Sequence, residues 1–141
     1  MNINLISSYD SSFFLNKDLF KELCECLNLT IDTLDVYLVD KSEILELNQK
    51  YLNHNYYTDI LTFDLRDTIS KDIALYICYS VAEENSIKYK VSTENELLRL
   101  IIHGILHISG YNDSTYLEKE KMRTMENFFL NKLFHVKREN E

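Results

Sequence analysis

The chain has 141 residues and a formal net charge of −8, with 45% hydrophobic and 27% charged residues. It holds two glycines and no proline, where average usage would give about ten and about seven. That composition excludes collagen-like, Gly/Ser-linker and Pro-rich segments, and neither a G-x-G-x-x-G nor a Walker A phosphate loop can be written with Gly104 and Gly110 alone. The acidic balance argues against a general phosphate-binding surface, which usually carries a basic excess. Charge is uneven: residues 1–113 hold nine basic and eighteen acidic side chains, and residues 114–141 hold six and five. A nucleic-acid site would therefore be local, or screened by a metal or a partner.

In chain order, Ile3 and Leu5 alternate with polar residues and predict a short strand. Phe13, Phe14, Leu19, Phe20, Leu23, Cys24 and Leu27 recur at helical spacing and predict an amphipathic helix over 12–28. Residues 35–39, Asp-Val-Tyr-Leu-Val, read as a strand, followed by a helix capped by Asp40 or Ser42 and carrying Ile44, Leu45, Leu47 and Tyr51. A turn at 53–55 precedes strands at 60–63 and 73–78, which the spacing predicts to pair as a hairpin. A helix follows from about Ser80 to Tyr89. Thr93-x-x-Glu96 reads as a capping box opening a helix that is apolar all round, hence buried. Gly110 stands where a left-handed cap would end it. A second box, Thr115-x-x-Glu118, opens a last helix presenting Leu117, Met122, Met125, Phe128, Phe129 and Leu133. The expected fold is α/β (α+β): one domain over 1–141, with a small mixed sheet of about four strands packed with about five helices.

Three cysteines, Cys24, Cys26 and Cys78, cannot all pair within the chain, and no C-x-x-C is present, so reduced thiols are expected. The N-terminus lacks the basic and apolar regions of a signal peptide, and no stretch is long enough to span a membrane. A cytoplasmic protein is the expectation.

The chemistry concentrates in His103-Gly104-Ile105-Leu106-His107-Ile108-Ser109-Gly110-Tyr111-Asn112-Asp113. Residues four apart share one helix face, so His103 and His107 can approach one ion. Gly110 allows a sharp turn that can return Asp113 to the same point. Two imidazoles and one carboxylate, with a fourth position open, are the donor set of a catalytic zinc site at the end of a buried helix. Separately, each residue has a plainer reading: core histidines, a routine C-cap, and Asp113 as the N-cap of the next helix. The zinc proteases write this helix H-E-x-x-H, with Glu as base. Here that place is Gly104, which has no base to offer and could instead admit a backbone or substrate.

This segment resembles the signature of the YbeY family of bacterial endoribonucleases, or rRNA maturation factors, H-G-x-L-H-x-x-G-Y-D-H. Residues 47–63, Leu-Asn-Gln-Lys-Tyr-Leu-Asn-His-Asn-Tyr-Tyr-Thr-Asp-Ile-Leu-Thr-Phe, resemble the family's L-N-x-x-Y-R-x-x-D-x-P-T-D-V-L-S-F, and 71–73 resemble its G-D-I. The resemblance implies a cytoplasmic, metal-dependent single-strand endoribonuclease acting in small-subunit rRNA 3′-end maturation and ribosome quality control. It implies one divalent ion, zinc being usual, on His103, His107 and Asp113. The implied partners are rRNA and the small ribosomal subunit or its assembly factors, with no DNA and no membrane. The chain departs from the pattern in having Asp113 for the third His, Asn112 for Asp, Leu52 for Arg, Asn55 for Asp and Tyr57 for Pro. Arg66, Lys71 and Arg99 are candidates for the missing phosphate contact, and each also reads as a solvated charge. His54 reads as a loop residue. The alternatives are a metal-dependent hydrolase of another substrate, such as peptide, and a non-catalytic ribosome-assembly factor.

Overall fold

In the computed structural model, which describes residues 1–9 and 16–134, the elements run β1 (Asn2–Ser7), α1 (Lys17–Cys26), β2 (Thr33–Val39), α2 (Lys41–Leu47), a π turn (Asn48–Leu52), β3 (Ile60–Asp64), β4 (Asp72–Cys78), α3 (Tyr79–Lys88), α4 (Thr93–Ile108) and α5 (Tyr116–Phe134). The strands form one mixed sheet in the order β1-β2-β4-β3. β1 and β4 flank β2 in parallel, with Leu5 opposite Val36 and Val36 opposite Leu75. β3 joins β4 antiparallel, with Leu61 opposite Tyr76, so the expected hairpin forms.

One face of the sheet, with Leu34, Val36, Leu38, Ile73, Leu75 and Ile77, packs on α1, α4 and α5 through Phe20, Leu23, Ile101, Ile105, Met122 and Phe129. The other face, with Val39, Leu61 and Cys78, is covered by α2 through Ile44. α4 is the central helix, with Leu97, Leu98, Leu100, Ile101, Ile102, Gly104, Ile105 and Leu106 buried. Gly104 is the point of closest approach: a Cβ built there would lie 2.9 Å from Leu75 Cδ2 and 3.2 Å from Ile60 Cδ1. Its lack of a side chain thus seats α4 on the sheet and does not open space for a substrate.

The helix ends explain how the chain manages with two glycines. α1, α3 and α4 each close with the paired 6→1 and 5→2 backbone bonds of a Schellman motif. The left-handed residue in these motifs is Asn28 (φ 54°), Lys90 (φ 56°) and Gly110 (φ 111°), respectively. Asn53 (φ 55°) closes the π turn in the same left-handed conformation, with its own N–H and that of His54 both donated to the Asn48 carbonyl. L-residues serve at three of the four ends. At Gly110 φ lies well beyond the left-handed helical well near +57°, and there a Cβ is penalised most.

Several expectations change. α1 begins at Lys17, because the Asn16 side chain accepts from the backbone N–H of Asp18 and Leu19. The expected Phe13 and Phe14 lie outside the described residues, as does the Leu133 side chain. The cap of α4 is Ser92, not Thr93: its hydroxyl accepts from Asn95 N–H at 3.0 Å. Glu96, then past the capping position, is buried and bonded to Asn85. The box opening α5 forms as expected, with Glu118 N–H on Thr115 Oγ1 at 3.1 Å and Thr115 N–H on Glu118 Oε1 at 2.9 Å. On α5 the buried stripe is Met122, Glu126, Phe129 and Leu130, whereas Leu117 and Phe128 fall off that face and are exposed. All three cysteines are free, as expected.

Candidate active site

The site lies where α4, the turn after it, α5 and the start of β3 meet. His103 projects from the rim of the buried helix, and its Nδ1 is 2.7 Å from Glu126 Oε2 on α5. Its Nε2 is 3.3 Å from Asp113 Oδ2. Glu126 is itself buried and takes a second partner, the Arg99 guanidinium, at 3.1 Å. Arg99 also donates to Asn127 Oδ1 at 2.7 Å. Thr115 caps α5 with its own side chain, so Asp113 is left facing His103 and is not the cap. The Gly110 turn does bring Asp113 back to the helix.

His107 is exposed, and its Nδ1 lies 3.0 Å from the Tyr111 carbonyl. With Nδ1–H donated to that carbonyl, the lone pair sits on Nε2. His103 can donate Nδ1–H to Glu126 likewise, the arrangement in which a metal-binding imidazole is held by a second group. The donor chemistry of His103, His107 and Asp113 therefore suits a divalent ion. The structure brings His103 and Asp113 together but puts His107 against neither. Among the described residues, no group of three or more His, Cys, Asp or Glu side chains converges closely enough to hold an ion.

Two residues beyond the expected set belong here. Asp59, just before β3, is electrostatically coupled to His103 and Asp113. Burial pushes its carboxyl above the usual range, more than the His103 charge and backbone donors lower it. Burial pulls His103 down, but its hydrogen bond and charge pairing with Glu126, with help from Asp113 and Asp59, outweigh that and raise it above the ordinary 6.5. Glu126 could have been noticed in the sequence: it lies four residues after Met122 and three before Phe129, on the apolar stripe of α5, and a carboxylate there demands a buried partner.

Asp59, His103, Arg99, Glu126 and Arg123 line a cleft of about 360 Å³. Of the three cations considered for the missing arginine, only Arg99 is at this cleft. Arg66 is bound by both carboxylate oxygens of Asp64, at 2.8 and 2.7 Å, and lines a separate depression with Lys71. The Leu52 side chain is at the surface. His54 is a loop residue, stacked on Tyr56.

The family model described as Endoribonuclease YbeY matches residues 10–134, a span that contains both motif segments and the whole site. The chain belongs to the YbeY endoribonuclease family. Proteins named Endoribonuclease YbeY that it resembles include those of Azobacteroides pseudotrichonymphae (48% identical over 64% of this chain and 66% of that one) and Flavobacterium psychrophilum (46%, over 70% and 69%). A third, from Phocaeicola vulgatus, is 39% identical over 76% of this chain and 78% of its own. The solution structure of TM1509 from Thermotoga maritima superposes with a TM-score of 0.67 at 29% identity, covering 98% of this chain and 93% of that one. The YbeY assignment agrees with the four-stranded mixed sheet and five helices. Among the described residues, no helix is long and apolar enough to cross a membrane.

Proposed function

We propose that this YbeY-family chain is an endoribonuclease that cuts single-stranded RNA, acting as one hydrolase domain over 1–141. The supporting observation is that the family match runs through both motif segments, and that Asp59 from one lines the same cleft as His103 from the other, which pairs with Asp113. The ligands of a single divalent ion, with zinc the expected metal, are His103, His107 and Asp113. When bound, the ion supplies Lewis-acid polarisation of the scissile phosphoryl group and neutralises charge developing on it. Closing the set needs His107 and Asp113 to approach one another across the Gly110 turn. Asp113 in place of a third imidazole adds a negative charge, which lowers Lewis acidity and broadens the choice of metal.

The chain's own groups divide the remaining work. Glu126 orients His103 and fixes its tautomer. Asp59, with its pKa raised by burial beside His103, is placed to hold a proton for transfer to or from the reacting oxygens. Arg99, held by Glu126 and Asn127, contributes positive charge at the cleft wall. The biological substrate proposed is the 3′ end of small-subunit rRNA in the cytoplasm, with the small subunit or its assembly factors as partners.

The direct test is digestion of a single-stranded rRNA fragment. Cleavage is expected to stop with a chelator and in His103→Ala, and elemental analysis is expected to find one transition-metal ion per chain. Cleavage unaffected by both treatments would overturn the metal mechanism, and digestion of casein in place of RNA would overturn the substrate class.

A further inference from the structure

The molecule has an aromatic cluster that the site chemistry does not use. From the π turn to Asp59, Tyr51, Tyr56 and Tyr57 are 56%, 54% and 47% exposed, although large aromatic side chains usually bury most of their surface. The His54 and Tyr56 rings stack at 5.0 Å between centroids and share a hydrogen bond of 3.1 Å. The Lys41 ammonium lies 5.0 Å from the Tyr57 ring centre and that of Lys50 lies 5.3 Å from Tyr51. Lys41 is also paired with Glu84 at 2.9 Å, in an exposed and hence weak bridge.

The loop is held from beneath. Asn48 is fully buried, and its Nδ2 donates to the Tyr56 carbonyl at 3.0 Å and to Thr58 Oγ1 at 3.4 Å. Its own carbonyl accepts the His54 N–H at 3.1 Å. Tyr51 rests edge-on against Phe63 of β3 at 5.5 Å. The rings are therefore presented before any ligand arrives, which reduces the ordering needed on binding.

We infer that residues 51–57 form a stacking platform for unpaired RNA bases, leading the strand to the cleft at Asp59 and His103. The inference rests on the RNA-cleaving reading above. Tyr57 is two residues from Asp59, so their Cα atoms are at most about 7.6 Å apart. A net charge of −8 leaves little for phosphate attraction, whereas stacking on an aromatic face needs no net charge and is worth about 1–3 kcal/mol per base. A protein-docking patch would centre on apolar surface with a polar rim. Here one exposed aliphatic residue, Leu52, stands among the rings, which are otherwise interspersed with Asn53, His54 and Asn55, and cations sit over two of the rings, an arrangement suited to bases and their phosphates.

The test is equilibrium binding by fluorescence anisotropy, in chelator so that nothing is cut. The probe is a labelled oligouridylate about ten nucleotides long, within the range of single-strand sites. Tyr56→Ala and Tyr57→Ala are each expected to weaken binding about five- to 150-fold, with thermal unfolding unchanged. Tyr56→Phe and Tyr57→Phe are expected to bind like the wild type. Duplex RNA is expected not to compete. Alanine variants that bind like the wild type, or a duplex that competes equally, would overturn the platform. Tyrosine-dependent binding without wild-type cleavage would sink the nuclease reading alone, and cleavage with tyrosine-independent binding would sink the platform alone.

Discussion

Glu126 Oε2 and His103 Nδ1 are 2.7 Å apart, although 23 residues separate them in the chain. One buried carboxylate thereby ties α5 to α4, fixes which nitrogen of His103 faces Asp113, and pairs with Arg99. Groups in this position around a metal-binding imidazole typically influence affinity 10–100-fold. Glu126→Gln is therefore expected to weaken zinc binding by about that factor while leaving all three proposed ligands in place. A competition titration with a chromophoric chelator measures it, and unchanged affinity would remove Glu126 from the site.

The same pair sets a pH dependence in the metal-free protein. The folded His103 pKa is raised above its unfolded value of 6.5, so its stabilisation is complete below about pH 6.5 and lost as pH rises through the folded value. Urea unfolding in chelator is expected to show stability falling above pH 6.5, and His103→Gln should flatten that fall. Asp59 and Glu96, raised chiefly by burial, give the same sign of slope at lower pH, so the comparison belongs above pH 6.

Gly110 and Lys90 hold equivalent places after their helices, yet substitutions there should act oppositely. Gly110→Val puts a β-branched residue at φ 111° and is expected to lower both stability and metal content, although nothing within 4 Å obstructs the new Cβ. Lys90→Gly relieves a left-handed L-residue, which costs about 1–2 kcal/mol, against a glycine entropy penalty of about 0.5–1 kcal/mol. A gain of up to about 1.5 kcal/mol is expected, read as a higher Tm. Wild-type metal content in Gly110→Val would show that the turn does not place Asp113.

Thiol chemistry should follow burial. Cys26 is exposed, whereas burial pushes the Cys24 thiol up to about 11 and Cys78 lies in the core beneath α2. Iodoacetamide at pH 8 is expected to label one site per native chain, Cys26, and all three after denaturation. Mass mapping that finds Cys24 modified at a similar rate would contradict this packing.

Much of the fold was legible because its elements are strongly patterned: the β3–β4 hairpin, the all-round apolar α4 and the Thr115–Glu118 box all follow from local spacing. The start of α4 was misread because Ser92 and Thr93 are both good caps, and only backbone geometry decides between them. Of the candidate site, His103 and Asp113 meet as the Gly110 turn suggested. Asp59 and Glu126 were missed because their roles depend on contacts between elements 23 or more residues apart.

Gly104 bears on which reactions this scaffold can reach by mutation. The position following the first histidine points at Leu75 and Ile60, into the sheet, and not toward the cleft. A glutamate introduced there would force Leu75 aside and bury an unpaired carboxylate, so a single substitution cannot turn this helix into a protease helix. The way α4 is seated on β4 thus keeps the histidine pair from that chemistry, whatever ion it binds.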